Sequence, residues 1–371
     1  GAVIGDYQTM VNAIDIQTSA LGGDTEIISE SRKNISLGHR RVVPLSLLGL
    51  NFNYVAEHLE SALVEGRGLR AASRFLSLPD GIKLSSLSIN NDEDLMLLNL
   101  VKKNPKPWLH VIKRKSDENR VHSLLDRGVL QMSCLTPSDA AHVLGFQSQW
   151  DINTAWLACR AFGQACGLLT FRESHNEEAV KKFAQLVIDK VVQRSSFLIL
   201  KYLGTDQFSE DDPIIASVCK GNGRLGGLKV ALKSDRPVIG VGGPAEIYYP
   251  MVGERLDSEV VIPKNASVAN AIGAAVGQVR SESSIEISGY EAGRYLVHVR
   301  GDPLVIEDSE IAIQSATDLA IKEAEDKAHQ DGGINLETTI NIARVDLPDG
   351  EGFISARVKA VTTGDLVDNA K

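Results

Sequence analysis

The chain has 371 residues, 43% of them hydrophobic and 23% charged, with a net charge of −9. That length exceeds one typical domain and predicts two or three, each with enough apolar side chains for its own core. The acidic balance argues against a general nucleic-acid binder while leaving room for a local basic patch, and no continuous apolar run is long enough to suggest a membrane span.

The chain opens on GAVIGDYQTM, and Met10–Ile16 is already patterned as structure, so the sequence reads as part of a longer protein with no visible leader. Residues 1–50 predict strands at Ala13–Ile16, Glu26–Ser29 and Arg41–Leu45, with a glycine turn at Gly22-Gly23. Asn51–Glu65 carries Phe52, Val55, Leu59 and Leu63 at helical spacing. Leu95, Leu97, Leu98 and Leu100 mark a helix that KNPKPW breaks; Asn119–Arg127 predicts a second, closed by Gly128, and Val129–Ser133 a strand. Together these suggest a winged-helix-like insertion. Thr136-Pro137-Ser138-Asp139 is a helix start, with Thr136 as N-cap, Pro137 at the first position and Asp139 reaching back to the cap. Helices continue through Trp156–Gly167. Glu173–Tyr202 is the longest periodic segment, with Val180, Phe183, Val187, Val191, Leu198 and Tyr202 on one face.

The four cysteines, Cys134, Cys159, Cys166 and Cys219, show neither CxxC nor metal-ligand spacing and read as reduced, buried thiols of a cytosolic protein. After a glycine-rich turn at Gly221–Gly227, Leu228–Leu232 and Val238–Val241 read as neighbouring strands. Pro244 opens an amphipathic segment, Val260–Ile262 is a further apolar run, and a small-residue helix is predicted from Ser267 to Val279. Gly273 and Gly277, four apart on that helix, suit close contact with another backbone. From Ser284 a small α+β module follows. Its strands are Tyr295–Arg300, Leu304–Glu307, Thr338–Val345 and Phe353–Val361, and its exposed helix is Ala316–His329, with Asp318/Lys322 and Glu323/Lys327 pairs.

Several groups could carry chemistry. The strand ending at Val241, the turn Gly240–Gly243 and the helix opened by Pro244 make a phosphate or nucleotide site, because free amide N–H groups and the positive helix end face one spot. The same pattern also builds an ordinary tight turn. In DIQTSALGGD, Asp15 ends a strand and Asp24 follows Gly22-Gly23; two carboxylates at one mouth could hold Mg²⁺ on a phosphate or orient a water. A hairpin turn in which Asp24 bonds its own backbone is the alternative. Asp139 and His142, three apart, share a helix face and could supply two metal ligands; alternatively Asp139 only caps and His142 packs. Tyr248 and Tyr249 could stack on an adenine or belong to the core. Lys102, Lys103, Lys106, Lys113, Arg114 and Lys115 surround Trp108, either as a nucleic-acid contact or as a solvated face. His39-Arg40-Arg41 could meet a phosphate or a carboxylate. No G-x-S-x-G, Walker loop or H-E-x-x-H occurs.

Four segments stand in order: TMVNAIDIQTSALGGDTEI, LTPSDAAHVLG with a following Trp150-Asp151, VIGVGGPAEIYYP, and VVIPKNASVANAIGAAVG. On these the chain resembles the hydantoinase/oxoprolinase family, in particular its hydantoinase A type subunit, over most of residues 1–280. The resemblance implies an actin/hexokinase-like ATPase fold of ribonuclease-H-like α/β domains. Residues 1–85 and 171–283 would form the second ATPase domain, 86–170 the helical insertion and 284–371 the C-terminal module. It also implies a cytoplasmic enzyme that opens a cyclic amide such as a hydantoin or 5-oxoproline, using ATP and Mg²⁺ to phosphorylate the ring carbonyl before water attacks. A hydantoinase B type partner subunit or a homo-oligomer would accompany it. By matching positions, Gly240, Gly242, Gly243 and Pro244 fall on the nucleotide turn. Asp15, Gly22, Gly23 and Asp24 fall on the family's glycine loop, and Asp139 and His142 on its threonine-proline helix start, with a substrate or metal role. The family's aspartate-glycine-glycine-threonine phosphate loops have no counterpart here, the second being expected just before Gly1, so this chain is expected to be inactive alone. Two other readings stand beside it: a sugar-kinase-like transcriptional regulator with a DNA-binding winged helix, and a non-catalytic scaffold subunit.

Overall fold

The computed structural model describes residues 3–4, 7–8, 18–82, 84, 91–204, 207–291, 293–299, 301–347 and 352–366. Asp15 and the strand expected at Ala13–Ile16 lie outside the described residues. The chain is a mixed α/β protein in two compact units, residues 1–267 and 268–371.

The first unit is built on a sheet of four short strands. Val43–Pro44 runs parallel to Gln131–Cys134, which pairs antiparallel with Phe75–Ser77, which pairs antiparallel with Lys106–Pro107. Two of these strands end in a proline, and each proline opens a helix: Pro44 leads into Leu45–Asn51 and Pro107 into Trp108–Val111. With φ fixed near the helical value and no N–H to leave unpaired, proline suits that junction. The expected helix over Asn51–Glu65 is Tyr54–Glu65, closed by Gly66 in the left-handed conformation. The longest helix, Glu177–Leu203, is capped by the Asn176 side chain and buries Val180, Phe183, Val187 and Val191; its end outruns the core, so Tyr202 is 45% exposed. Helices Tyr54–Glu65, Pro137–Val143 and Ile152–Ala165 share its apolar core. A second core gathers Leu98, Trp108, Val121 and Leu124 from the helices of residues 92–126 with Leu76 and Met132 from the sheet.

Leu228–Lys229 pairs with Arg224–Leu225 in a hairpin, whereas Val238–Ile239 runs parallel to Val260–Val261. The expectation that Leu228–Leu232 neighbours Val238–Val241 is therefore corrected. Gly226 at φ +58 lets the chain double back at once, and the parallel partner comes only after the Ala245–Leu256 helix. Strand, helix and parallel strand form a minimal crossover unit.

The second unit is a five-stranded antiparallel sheet. Leu304–Ile306 lies at one edge, followed by Arg294–His298, Gln278–Glu291 and Phe353–Leu366, with Gly333–Asp346 at the other edge. The helix Ser309–Gln330 packs across one face through Ala312, Ala316, Ala320, Ala324 and Ala328, all fully buried. The expected exposed helix at Ala316–His329 is thus longer and has one buried row, since methyl groups let its backbone approach the sheet. The small-residue helix expected over Ser267–Val279 is a shorter Ala269–Ala275, and no residue of it is buried. A Cβ at Gly277 would lie 2.9 Å from the Gly273 carbonyl oxygen, so the backbone folds back at that glycine and strand begins at Gln278.

Candidate functional site

The threonine-proline helix start forms as the sequence predicts. The Thr136 hydroxyl accepts from the Asp139 N–H (3.3 Å), and Asp139 Oδ2 accepts from the Thr136 N–H and Oγ1, each at 2.8 Å. The carboxylate does more than cap its own helix. Its Oδ1 accepts from the Ser46 N–H (2.7 Å) and Oγ (2.6 Å), and Oδ2 from the Leu45 N–H (3.3 Å). One fully buried carboxylate therefore serves the positive ends of two helices, Leu45–Asn51 and Pro137–Val143. Burial pushes the Asp139 pKa above the usual carboxylate range, and the donors from Ser46 and Thr136 oppose that shift. Ser46, missed in the sequence, was marked only by its place two residues after Pro44.

His142 faces other partners. Its Nε2 accepts the Trp150 N–H (3.2 Å), so Nδ1 carries the proton and donates to the Ser138 carbonyl (2.7 Å). The ring stacks on Trp150 with centroids 5.1 Å apart and an interplanar angle of 11°. Both ring nitrogens are engaged and Asp139 is saturated with donors, so the two do not assemble into a metal pair. Among the described residues no group of three or more His, Cys, Asp or Glu could hold a metal ion.

Ser138, on the same helix start, touches the glycine loop. Its N–H donates to the Gly23 carbonyl (2.9 Å), and a Cβ built on Gly23 would lie 2.5 Å from Ser138 Oγ and 3.7 Å from the Tyr248 hydroxyl. A side chain at position 23 would have to displace the Ser138 hydroxyl, so glycine lets the loop approach the helix start closely. At Gly22 a Cβ would collide with Asp24 Oδ1, which folds back over the loop. Asp24 Oδ2 accepts from Arg41 Nε and lies 2.7 Å from Arg41 Nη2. The basic group His39-Arg40-Arg41 thus meets carboxylates, Arg41 on Asp24 and Arg40 on Asp126 (2.7 Å). Tyr248 comes from the Ala245–Leu256 helix and is 4% exposed; its hydroxyl has no hydrogen-bond partner among the described residues. Burial, reinforced by the negative charge of Asp24, raises the Tyr248 pKa, so the hydroxyl stays protonated and available as a donor. Gly22, Gly23, Asp24, Ser138 and Tyr248 therefore form one locus of acceptor and donor groups.

The turn before that helix is open. A Cβ on Gly242 or Gly243 would meet nothing within 4 Å, and Gly242 has φ +106, a backbone state that suits glycine. At Gly240, by contrast, a Cβ would lie 2.9 Å from the Tyr249 ring, so this glycine seats an aromatic side chain. No side chain caps the helix that follows Pro244. The expectation that the amides of this turn are bared is corrected at two of them: the Gly240 N–H donates to the Val261 carbonyl (3.0 Å), and the Gly242 N–H donates to the Ala266 carbonyl (2.7 Å). The second bond ties the turn to the segment after Val260–Val261 and leaves the Gly243 end as the approachable one.

Part of the basic run is held by local partners. Trp108 is 7% exposed beneath Arg74, whose guanidinium carbon lies 5.7 Å from its ring centre. Lys113 donates to the Leu109 carbonyl, Arg114 pairs with Asp117, and Lys115 pairs with Glu118. A cavity of about 560 Å³, invisible in the sequence, lies beside the Thr25–Ile28 and Ser36–Arg41 hairpin, lined by Glu30, His39, Lys190, Arg194 and Glu210 among others. Its cations and anions come from segments far apart in the chain, and Arg194 already pairs with Glu210.

No family model, curated protein or solved structure matches the chain.

Proposed function

We propose that this chain is part of an ATP-dependent cyclic amidohydrolase of the hydantoinase/oxoprolinase type, with its first unit derived from an actin/hexokinase-like ATPase domain. The observation that carries the reading is the meeting of three of its four motifs. The Gly22–Asp24 loop, the Thr136–Asp139 helix start and the helix opened by Pro244 converge at Gly23, Ser138 and Tyr248, from positions more than a hundred residues apart in each step. Packing alone does not require a buried tyrosine hydroxyl to point unpaired at a glycine loop beside a carboxylate.

In this reading a nucleotide phosphate would be held at Gly243 and Pro244, where nothing crowds the glycine and no side chain caps the helix that follows. ATP with Mg²⁺, when bound, would supply the phosphoryl group that activates the ring carbonyl. Of this chain's own residues, Asp24, held by Arg41, would accept a hydrogen bond from the ring N–H of a cyclic amide, while the protonated Tyr248 hydroxyl, buried beneath the loop, would support Gly23 from inside.

The test is phosphate release from ATP with hydantoin or 5-oxoproline, using the chain joined to its upstream coding sequence, with and without a hydantoinase B type subunit. Substrate-dependent hydrolysis that falls in Asp24→Ala supports the proposal. Nucleotide binding without any substrate-dependent hydrolysis favours the scaffold reading, and salt-dependent duplex binding in a gel shift favours the regulator. ATPase activity unchanged in Asp24→Ala removes the glycine loop from the mechanism.

A further inference from the structure

The strand Gly333–Asp346 of the second unit pairs with Phe353–Leu366 on one side and, among the described residues, forms the edge of the sheet. A free edge presents a row of backbone N–H and C=O groups that a further strand can satisfy. The ladder is regular from Glu337 to Val345, with register irregularities between Ile334 and Glu337 and between Val345 and Asp346. The uninterrupted stretch is therefore centred on Asn341. It contains no proline and no lysine, the residues that commonly protect an edge. Ile340 and Ile342 flank the centre and are 37% and 45% exposed. They alternate in phase with Thr338, whose hydroxyl reaches Glu325 of the Ser309–Gln330 helix (3.1 Å), and with Arg344, which lies 3.8 Å from Glu310. All four thus belong to the face of the sheet that carries the helix.

We propose that this edge docks a second copy of the same chain, antiparallel and about a two-fold axis through Asn341, joining two five-stranded sheets into one continuous sheet with both helices on the same face. In antiparallel pairing of identical strands, opposed residues must both point their N–H groups outward or both inward, so the axis passes through a residue. With the axis on Asn341, Ile340 opposes the partner's Ile342 and Ile342 the partner's Ile340. Thr338 opposes the partner's Arg344, which brings that guanidinium to Glu325. Thr339 opposes the partner's Ala343, Glu337 the partner's Val345, and no like charges face each other. Moving the axis by one residue destroys the match. On Ile340 it opposes Ile342 to Thr338 and Arg344 to Leu336; on Ile342 it opposes Ile340 to Arg344. The isologous match at a single register, at the midpoint of the regular ladder, is the signature of a closed dimer edge.

The test uses the whole chain. Sedimentation equilibrium is expected to show a monomer–dimer equilibrium, and Ile342→Lys to weaken association at least tenfold with unchanged far-UV circular dichroism, a loss of about 1.4 kcal/mol or more. Asn341→Cys is expected to give a covalent dimer under mild oxidation, because self-opposed Cα atoms lie about 4.5–5.5 Å apart, within disulfide reach. Glu337→Cys is expected to stay uncross-linked, its two copies being about 26 Å apart along the strands. The four native cysteines are all buried and add no background. A chain that stays monomeric up to about 100 μM, a dimer that survives Ile342→Lys, or an Asn341→Cys variant that cross-links no better than Glu337→Cys overturns the proposal. Should Ile342→Lys alter the dichroism, the cysteine pair decides alone.

Discussion

Replacing Asp139 with alanine removes the acceptor for five donors at once: the Thr136, Leu45 and Ser46 amides and the Thr136 and Ser46 hydroxyls. The hydroxyls can rotate to other acceptors. The three amides are fixed by the backbone at two helix starts and are left without a partner, each at about 1–3 kcal/mol. The sum spans about 3–9 kcal/mol, and partial relaxation or entry of water places the expected loss near the lower end, at about 3–5 kcal/mol. All three tryptophans, Trp108, Trp150 and Trp156, lie in the first unit, so intrinsic fluorescence follows its unfolding by urea without signal from the second. The midpoint should fall with an unchanged slope. The pH dependence has a definite sign. The folded-state pKa of Asp139 lies above the ordinary value of 3.8, so the stability it contributes is fully present below that value and is lost as pH rises through the folded value. The gap between wild type and Asp139→Ala should therefore widen as pH falls. A loss below about 1 kcal/mol at neutral pH would refute the account of this carboxylate as a shared helix cap, and a gap that narrows on acidification would show that the cap hydrogen bonds outweigh burial in setting its pKa.

Gly23→Ala should lower the stability of the first unit by about 1 kcal/mol, because the new methyl forces the Ser138 hydroxyl to another rotamer; urea unfolding monitored by fluorescence measures it, and Gly23→Ala in a Ser138→Ala background should cost less. Ala320→Leu should destabilise the second unit by a similar amount, about 1–3 kcal/mol, by forcing the helix off the sheet; far-UV circular dichroism detects the lower unfolding midpoint. Burial, and then the charge of the neighbouring His110, hold the His58 pKa below its ordinary 6.5. Stability from the neutral ring is fully present above 6.5 and is lost as pH falls through the folded value. Fluorescence-monitored urea midpoints between pH 7 and 5 should therefore fall more steeply for wild type than for His58→Gln.

Local chemistry was legible where the responsible groups are close in sequence. The Thr136–Asp139 box, the Pro244 helix start and the Glu177–Leu203 helix rest on contacts three or four residues apart, and their residue types announce them. The candidate site was legible as separate motifs but not as a place. That Ser138 and Tyr248 both border Gly23 depends on how three helices stack, and no spacing in the chain encodes it. The role of Ser46 was hidden for the same reason, since its partner is 93 residues away. Sheet pairing failed where a two-residue turn competed with a distant partner, as for Leu228–Lys229. Alternation and apolarity give strand existence, whereas the neighbour is set by the length of the connection.

The alanine row at 312, 316, 320, 324 and 328 leaves almost no choice of residue on the inner side of its helix. Glycine there would weaken the helix by about 1 kcal/mol, and anything larger would pry two layers apart. The flanking positions are constrained too: Ile313, Leu319 and Ile321 pack against the same core, and Glu323 and Glu325 reach the sheet. A library randomised over this segment and selected for folding should therefore keep one small residue at every fourth place, keep apolar residues beside that row, and scatter freely only along 314, 318, 322 and 326, reporting which side of the rod is inside from survivors alone.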